Sequence, residues 1–432
     1  MTFKPNFDFL EELQWRGLLH DSIPGTDELL NKERVAAYIG FDPTADSLHI
    51  GNMVPIMLLT LFQRAGHTPV VLVGGATGRV GDPSGKSAER QLLDSDAIQR
   101  NLDGQKAQLM RFLDFENGEN KAVVVNNYDW FKDWSFLDFI RDVGKHITVS
   151  YMMSKDSVKN RLEAGGLSFT EFTYQLVQGY DFLHLYREMG VKLQMGGSDQ
   201  WGNITTGTEL IRKTIQGDAF AITAPLVTKS DGTKFGKSEG GNVWLDPSRT
   251  PVFTFYQFWL NIGDEDAIKF IKIYSLKSRE EIQSLIDAHS GQEYLRSLQK
   301  ALAEEMTVRV HGELALELAQ KATQVFFGNG SEDDLRALDE ATLSASLEGM
   351  DTFNLDLKKL ESGLNILDLL AVETSIFSSK GEARKMVQAN GFSLNKSKLS
   401  DIDYTIGSSD VLHGKYIIAQ KGKKNYFVIS LN

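Results

Sequence analysis

Short apolar runs alternate with longer mixed stretches through the first half of the chain. Residues 35–41, 68–73, 121–126 and 192–195 are apolar runs of strand length. The run Met53 to Phe62 is longer. Asp46 and Ser47 precede it, which predicts a helix start. Strand–helix alternation predicts a parallel α/β sheet with helices on both faces, a Rossmann-like domain over residues 1–228. In such sheets ligands bind beyond the carboxyl ends of the strands. The polar, glycine-containing segment 230–242 predicts an exposed mobile loop, within 229–246. From residue 250 to about 328 the apolar spacing is helical, giving a helical domain over 247–335. Residues 329–355 are rich in acidic and small polar side chains, and a linker is expected over 336–360. The end of the chain, 361–432, predicts a small α+β domain: two helical stretches, then strands over 415–420 and 425–431 with a turn at Gly422-Lys423-Lys424.

Composition narrows the class. The chain has 432 residues, 41% of them hydrophobic and 24% charged, ordinary for a globular protein with a large core. No apolar run approaches the roughly 20 residues of a bilayer span. The start, Met1-Thr2-Phe3-Lys4-Pro5, lacks an apolar signal core, and a cytoplasmic location is expected. The absence of cysteine excludes disulfides, thiolate metal sites and cysteine nucleophiles. Net charge is −12, against a protein that coats nucleic acid generally. Residues 376–432 nevertheless carry nine Lys/Arg and four Asp/Glu, a net of +5, leaving −17 on the remainder. A basic tail on an acidic body predicts a locally placed anionic partner; a solvated surface is the alternative.

Several segments carry chemistry. His49-Ile50-Gly51-Asn52 opens the helix predicted from Met53, where backbone N–H groups and the helix dipole attract phosphate. His49 and Asn52, three apart, are expected on one helical face. Gly81-Asp82-Pro83-Ser84-Gly85-Lys86-Ser87 is no Walker loop, because three residues separate its glycines where four are required. It remains a glycine-rich connection after a strand, with Lys86 and Arg90 spaced for one face toward an anion. Lys234-Phe235-Gly236-Lys237-Ser238 sets two lysines in a loop, suited either to phosphate or to plain solvation. Tyr174, Gln178 and Asp181 fall at i, i+4 and i+7 of a predicted helix, a polar stripe that lines a pocket or meets water. His67, His146, His184 and His413 have no metal-ligand spacing, and no G-x-S-x-G elbow occurs.

Together these segments resemble the bacterial tyrosyl-tRNA synthetases, class I aminoacyl-tRNA synthetases, along essentially the whole chain. The resemblance rests on Tyr38 through Gly51, Leu72-Val73-Gly74-Gly75-Ala76-Thr77-Gly78, Gly81–Ser84, Tyr180–Leu183 and Gly196-Gly197-Ser198-Asp199-Gln200-Trp201-Gly202-Asn203. His49–Asn52 is similar to the family's HIGH signature and Lys234–Ser238 to its KMSKS loop. Residues 363–432 resemble an S-four-type RNA-binding module, most clearly at Ser378 to Lys385. Three departures stand out: Asn52 replaces the second signature histidine, Phe235 and Gly236 replace Met and Ser, and Ile39 stands where many relatives carry Cys.

The resemblance implies a two-step reaction: L-tyrosine and Mg-ATP give tyrosyl-adenylate and pyrophosphate, and tRNA(Tyr) then takes the tyrosyl group. It implies Tyr38 and Asp181 on the substrate phenol, and Asp82, Tyr174 and Gln178 on its amino group. Thr44, His49, Gly51 and Asn52 would meet ATP, with Asp42, Asp199 and Gln200 completing the nucleotide and carboxylate surroundings. Lys86, Arg90, Lys234 and Lys237 would meet the departing pyrophosphate. Arg212, Lys213, Lys380, Arg384 and Lys385 would contact tRNA. Magnesium comes as part of the co-substrate, with no resident metal; a homodimer is implied, and no membrane partner.

Overall fold

The computed structural model describes residues 3–84, 94–163, 165–233, 235–238, 241–328, 330–348, 350–422 and 425–432. The chain forms two compact units, Met1–Arg249 with Phe258–Val310, and Thr250–Gln257 with His311–Asn432.

The first unit is built on a six-stranded sheet. Strands β1 (Asp21–Ser22), β2 (Ala36–Phe41), β3 (Thr68–Val73), β4 (Val123–Asn126), β5 (Val191–Gly197) and β6 (Phe220–Ala224) lie in the order β1-β6-β5-β2-β3-β4. Neighbours from β6 to β4 are parallel, and β1 is antiparallel on the edge. The four strands expected from apolar runs are all present, and β1 and β6 add to them. Two-residue β1 is too short to carry a periodicity. The strand order reverses between β2 and β5, which opens a crevice beyond their carboxyl ends.

Helices α1 (Phe9–Arg16), α2 (Met53–Arg64), α3 (Phe169–Met189) and α4 (Trp201–Ile215) surround the sheet. Helix α2 is apolar on nearly every face, and Ile56, Met57, Leu58 and Leu59 are all fully buried. It packs on β3 and β5, while α3 packs against α4 and β5. Ser168 caps α3 by accepting from the Glu171 N–H, in a capping box. After the sheet come α5 (Val252–Leu260) and α6 (Asp264–Tyr274), then further helices to His311. The Arg16 side chain donates to the carbonyls of Lys272 and Ser275, both at 2.6 Å, satisfying the end of α6.

The second unit holds a five-stranded sheet of β7 (Asp351–Leu355), β8 (Phe392–Leu394), β9 (Ser397–Lys398), β10 (Tyr416–Lys421) and β11 (Asn425–Leu431), in the order β9-β8-β10-β11-β7. Helix α7 (Lys380–Gln388) belongs to the same unit. The expected linker over 336–360 is folded instead. It contains a helix over Glu340–Leu347, then β7, which pairs in parallel with β11. Two of its acidic residues are helix caps: Asp339 accepts from the Thr342 N–H and Asp356 from the Lys358 N–H. Its sparse apolar residues are core, Leu343 and Leu347 joining Phe326, Ile418 and Val428.

The loop over 229–246 also departs from expectation. Phe235 and Gly236 are buried rather than exposed, and Lys237–Ser238 pairs with Gly241–Asn242 as a short hairpin. The apolar ring of Phe235 explains the burial.

Candidate active site

A cavity of ≈ 760 Å³ lies at the strand-order reversal. At its floor Asp181, on α3, is 1% exposed and accepts from Trp130 Nε1 at 2.9 Å and Asn127 Nδ2 at 3.1 Å. Burial pushes its carboxyl up to about 8, against the pull of those two donors, and the charge of Asp42 adds to the rise. Tyr38, on β2, is equally buried, and its hydroxyl has no hydrogen-bond partner among the described residues. Burial, and secondarily Asp181, keeps that phenol well above its ordinary range. A buried hydroxyl left unpaired costs about 1–3 kcal/mol, so this floor is suited to a ligand that brings its own polar atom.

A chain of hydrogen bonds leads from the floor to Asp42 and Tyr174. Asn127 Nδ2 also donates to Thr77 Oγ1 at 3.1 Å, and Thr77 Oγ1 donates to Asp42 Oδ1 at 2.7 Å. The Tyr174 hydroxyl donates to Asp42 Oδ2 at 2.9 Å. Gly74 makes this meeting possible, because a Cβ there would lie 2.4 Å from both Asp42 Oδ1 and Thr77 Oγ1. The resemblance grouped Asp82 with Tyr174; here Tyr174 engages Asp42 instead. Asp82 accepts from Gln200 Nε2 at 2.8 Å, from the Ser84 N–H at 2.9 Å and from Asn203 Nδ2 at 3.4 Å. Gln178, Asp82 and Gln200 still line the same cavity as Tyr174 and Asp42.

The other end is built by His49–Asn52. Asn52 and His49 do not share a helical face. His49 has extended backbone, and Asn52 Oδ1 turns back to accept its N–H at 3.0 Å. This satisfies an orphan donor at the start of the helix, which local spacing alone leaves out. A Cβ on Gly51 would lie 2.8 Å from His49 Cε1, so glycine lets the imidazole fold over the turn. The ring of Trp244 meets His49 edge-on with centroids 5.6 Å apart. Thr44, Asp199 and Gly51 line the cavity here. Lys86, Arg90 and Lys234 lie outside the described residues, as does the side chain of Lys237.

The residues expected at tRNA are exposed. Arg212 and Lys213 share Glu209, at 2.8 and 3.1 Å, and the Arg212 bond chiefly holds that carboxyl down to about 2. On α7, Lys380 pairs with Asp368, while Arg384 and Lys385 have no ion-pair partner among the described residues.

Sequence reasoning missed Asn127, Trp130, Thr77, Asn203 and Gln194. Gln194 is the Cα partner of Tyr38 across β5 and β2, is buried, and leaves Oε1 without a partner among the described residues. A glutamine within an apolar strand was a legible signal. Asn127 directly follows β4, where a parallel sheet places its ligands.

The comparisons with known proteins agree with this architecture. Residues 30–328 match the family of tRNA synthetases class I (W and Y), and residues 343–429 match the Tyrosine--tRNA ligase SYY-like C-terminal domain. The chain belongs to the class I tRNA synthetases. It is 57% identical to Tyrosine--tRNA ligase of Porphyromonas gingivalis over 98% of this chain and 99% of that protein. The same figures hold for the enzyme of Bacteroides thetaiotaomicron. A C-terminally truncated mitochondrial tyrosyl-tRNA synthetase of Aspergillus nidulans is 31% identical, with a TM-score of 0.65 over 74% of this chain and 94% of that one. The fold class and the tyrosyl branch expected from the signature segments are both borne out, and the reaction is tyrosine--tRNA ligation driven by ATP. No helix among the described residues is long and apolar enough to cross a membrane.

Proposed function

We propose that the cavity takes tyrosine with its phenol on the Tyr38–Asp181 floor and ATP along His49–Asn52. The observation that carries this reading is the buried, partnerless hydroxyl of Tyr38 beside the doubly bonded Asp181. A phenol O–H can donate to one and accept from the other; the ring of phenylalanine leaves the Tyr38 hydroxyl unpaired and brings no further donor to Asp181. Asp42, Tyr174, Gln178 and Asp82 surround the amino end, and Gln200 faces the carboxylate.

A carboxylate oxygen of tyrosine attacks the α-phosphorus of ATP. The new O–P bond replaces the α–β phosphoanhydride bond, and pyrophosphate leaves. A hydroxyl of the terminal adenosine of tRNA(Tyr) then attacks the carbonyl carbon and expels AMP. No protein nucleophile is needed. Phosphoryl-type transfer of this kind depends on positioning and charge stabilisation. Thr44, His49 and Asn52 serve the phosphates at the helix start, with Asp199 near the nucleotide. Lys86, Arg90, Lys234 and Lys237 balance the charge of the leaving pyrophosphate. Magnesium arrives on the ATP phosphates; among the described residues no group of three or more His, Cys, Asp or Glu could hold a metal on its own.

Arg212 and Lys213 reach the tRNA in this reading, and the exposed cations of α7 meet its phosphates, which makes charging salt-dependent. Phe136, Leu137, Ile140, Val149 and Phe169 are exposed in one stretch of the chain. Apolar exposure of this density supports a dimer interface there. The enzyme works in the cytoplasm, where its tRNA is charged.

The deciding experiment is ATP–pyrophosphate exchange on the purified protein with each of the twenty amino acids and no tRNA. Tyrosine alone is expected to support exchange; tryptophan-dependent exchange would overturn the floor assignment. Asp181→Ala is expected to cut the tyrosine-over-phenylalanine preference by about 10- to 100-fold, the worth of one buried hydrogen bond. Unchanged preference would remove Asp181 from the pocket.

A further inference from the structure

Phe235 is the apolar member of the segment that holds Lys234 and Lys237. Its ring sits in a cage of four others. Centroids lie 4.0 Å away for Phe270, 5.4 Å for Phe258, 5.5 Å for Trp259 and 5.7 Å for Tyr274. Phe258 and Trp259 end α5, and Phe270 and Tyr274 belong to α6.

The next residue points the other way. Gly236 has φ +90°, and a Cβ there would lie 2.8 Å from the backbone nitrogen of Gly51. Only glycine permits both the conformation and the approach. The backbone around this contact is stitched together. The Val243 N–H donates to the Gly236 carbonyl at 3.0 Å, Ile50 N–H to the Val243 carbonyl at 2.9 Å, and Leu245 N–H to the Leu48 carbonyl at 2.8 Å. Consecutive residues therefore join the ring cage to the turn that opens α2.

Helix α6 also holds the root of the segment. Asp266 Oδ1 accepts from the Ser230 N–H at 2.8 Å, and Lys269 Nζ donates to the Thr228 carbonyl at 2.8 Å. Phe235 buried merely as core would not need these two further attachments to the same helix.

We propose that Phe235 is a positioning residue for the ATP step: its caged ring fixes Gly236 against Gly51 and so sets the phosphate-binding turn relative to the lysine segment. Phe235 borders the cavity, with its ring held in the cage. It acts through the Gly236–Gly51 contact, with α6 as the rigid support. Emptying the cage lets Gly236 shift by a fraction of an ångström to an ångström, a displacement that costs a phosphate-transfer step far more than it costs binding of the amino acid. The inference rests on the reading of His49–Asn52 as the ATP end of the cavity.

The test is single-turnover kinetics on the full-length protein. Phe235→Ala is expected to slow adenylate formation at saturating ATP by about 10²-fold. Tyrosine affinity and transfer of tyrosyl from preformed adenylate to tRNA are expected to stay at parent values. Phe235→Met, which refills the cage, is expected to recover most of the rate. Parent-like adenylate formation in Phe235→Ala would overturn the proposal. So would a parallel loss of tyrosine affinity, transfer and rate, which marks a residue that is only structural. If Phe235→Ala does not fold, Asp266→Ala and Lys269→Met release the root while keeping the rings. The same split is expected of them, and parent-like kinetics in both would overturn the proposal. A parent protein without tyrosine-dependent exchange would instead bring down the reading of the cavity, and this inference with it.

Discussion

Asp181 shows how a single buried group sets a pH dependence. Its carboxyl is raised from 3.8 to about 8 in the folded chain, by burial above all. A raised acid binds a proton more tightly folded than unfolded. Its contribution to stability is therefore complete below the unfolded value and is lost as pH rises through about 8. The difference in unfolding free energy between the parent and Asp181→Asn, measured by urea denaturation without ligands, is expected to fall between pH 5 and 8. For one group the slope approaches about 1.4 kcal/mol per pH unit. A flat difference would mean that Asn127 and Trp130 already hold the carboxylate ionised at pH 5. Asp181 was legible in the chain as part of a polar stripe. Its two donors were not, because they lie more than fifty residues upstream and only the fold brings them to it.

Helix α3 carries three of the side chains assigned to tyrosine, so its start matters to the site. Glu171, in its first turn, is fully engaged: it accepts from Arg161 at 2.7 and 2.9 Å, with side chains only 7% and 3% exposed. Removing Arg161 strands a buried carboxylate. Arg161→Met is expected to cost about 3–5 kcal/mol in chemical denaturation, and Arg161→Met with Glu171→Gln to recover part of it. A loss below about 1 kcal/mol would place the pair in effective contact with water. At this scale the chain was partly readable. The i, i+4, i+7 stripe of Tyr174, Gln178 and Asp181 does line the cavity. Its partner Asp42, 132 residues away, was out of reach of any local pattern. The opposite failure occurs at His49 and Asn52. There a helical period was assumed one turn too early, and capping decided the geometry.

The composition of residues 329–355 misled at the scale of the whole molecule, and the correction changes how the protein should be cut. Acidic and small polar residues suggested a linker over 336–360, and the charge count separately suggested a basic tail over 376–432 that could be cut away. In the folded chain Ser331 and Asp339 cap helices, and the apolar residues of the stretch form a core with the far end of the sequence. A cut at 376 removes β8, β9, β10 and β11, four of the five strands, and leaves β7 without a partner on either edge. It also uncovers Leu335, Leu338 and Leu343, which pack in one cluster with Ile418 and Val428. Exposed strand edges and apolar patches of this kind promote association. The boundary that the fold supports is after Val310, where the first compact unit ends. Residues 1–310 are expected to keep tyrosine-dependent ATP–pyrophosphate exchange while losing tRNA charging, because every described residue lining the cavity lies in that unit. Residues 1–375 are expected to aggregate at concentrations where 1–310 stays dispersed, as light scattering would report. If 1–375 proves the better behaved of the two, the second unit tolerates the loss of four of its five strands and the cluster around Leu343 is not its core. If 1–310 loses exchange with its fold intact, the second unit contributes to the chemistry of the first step, and the division of labour proposed between the two units is wrong.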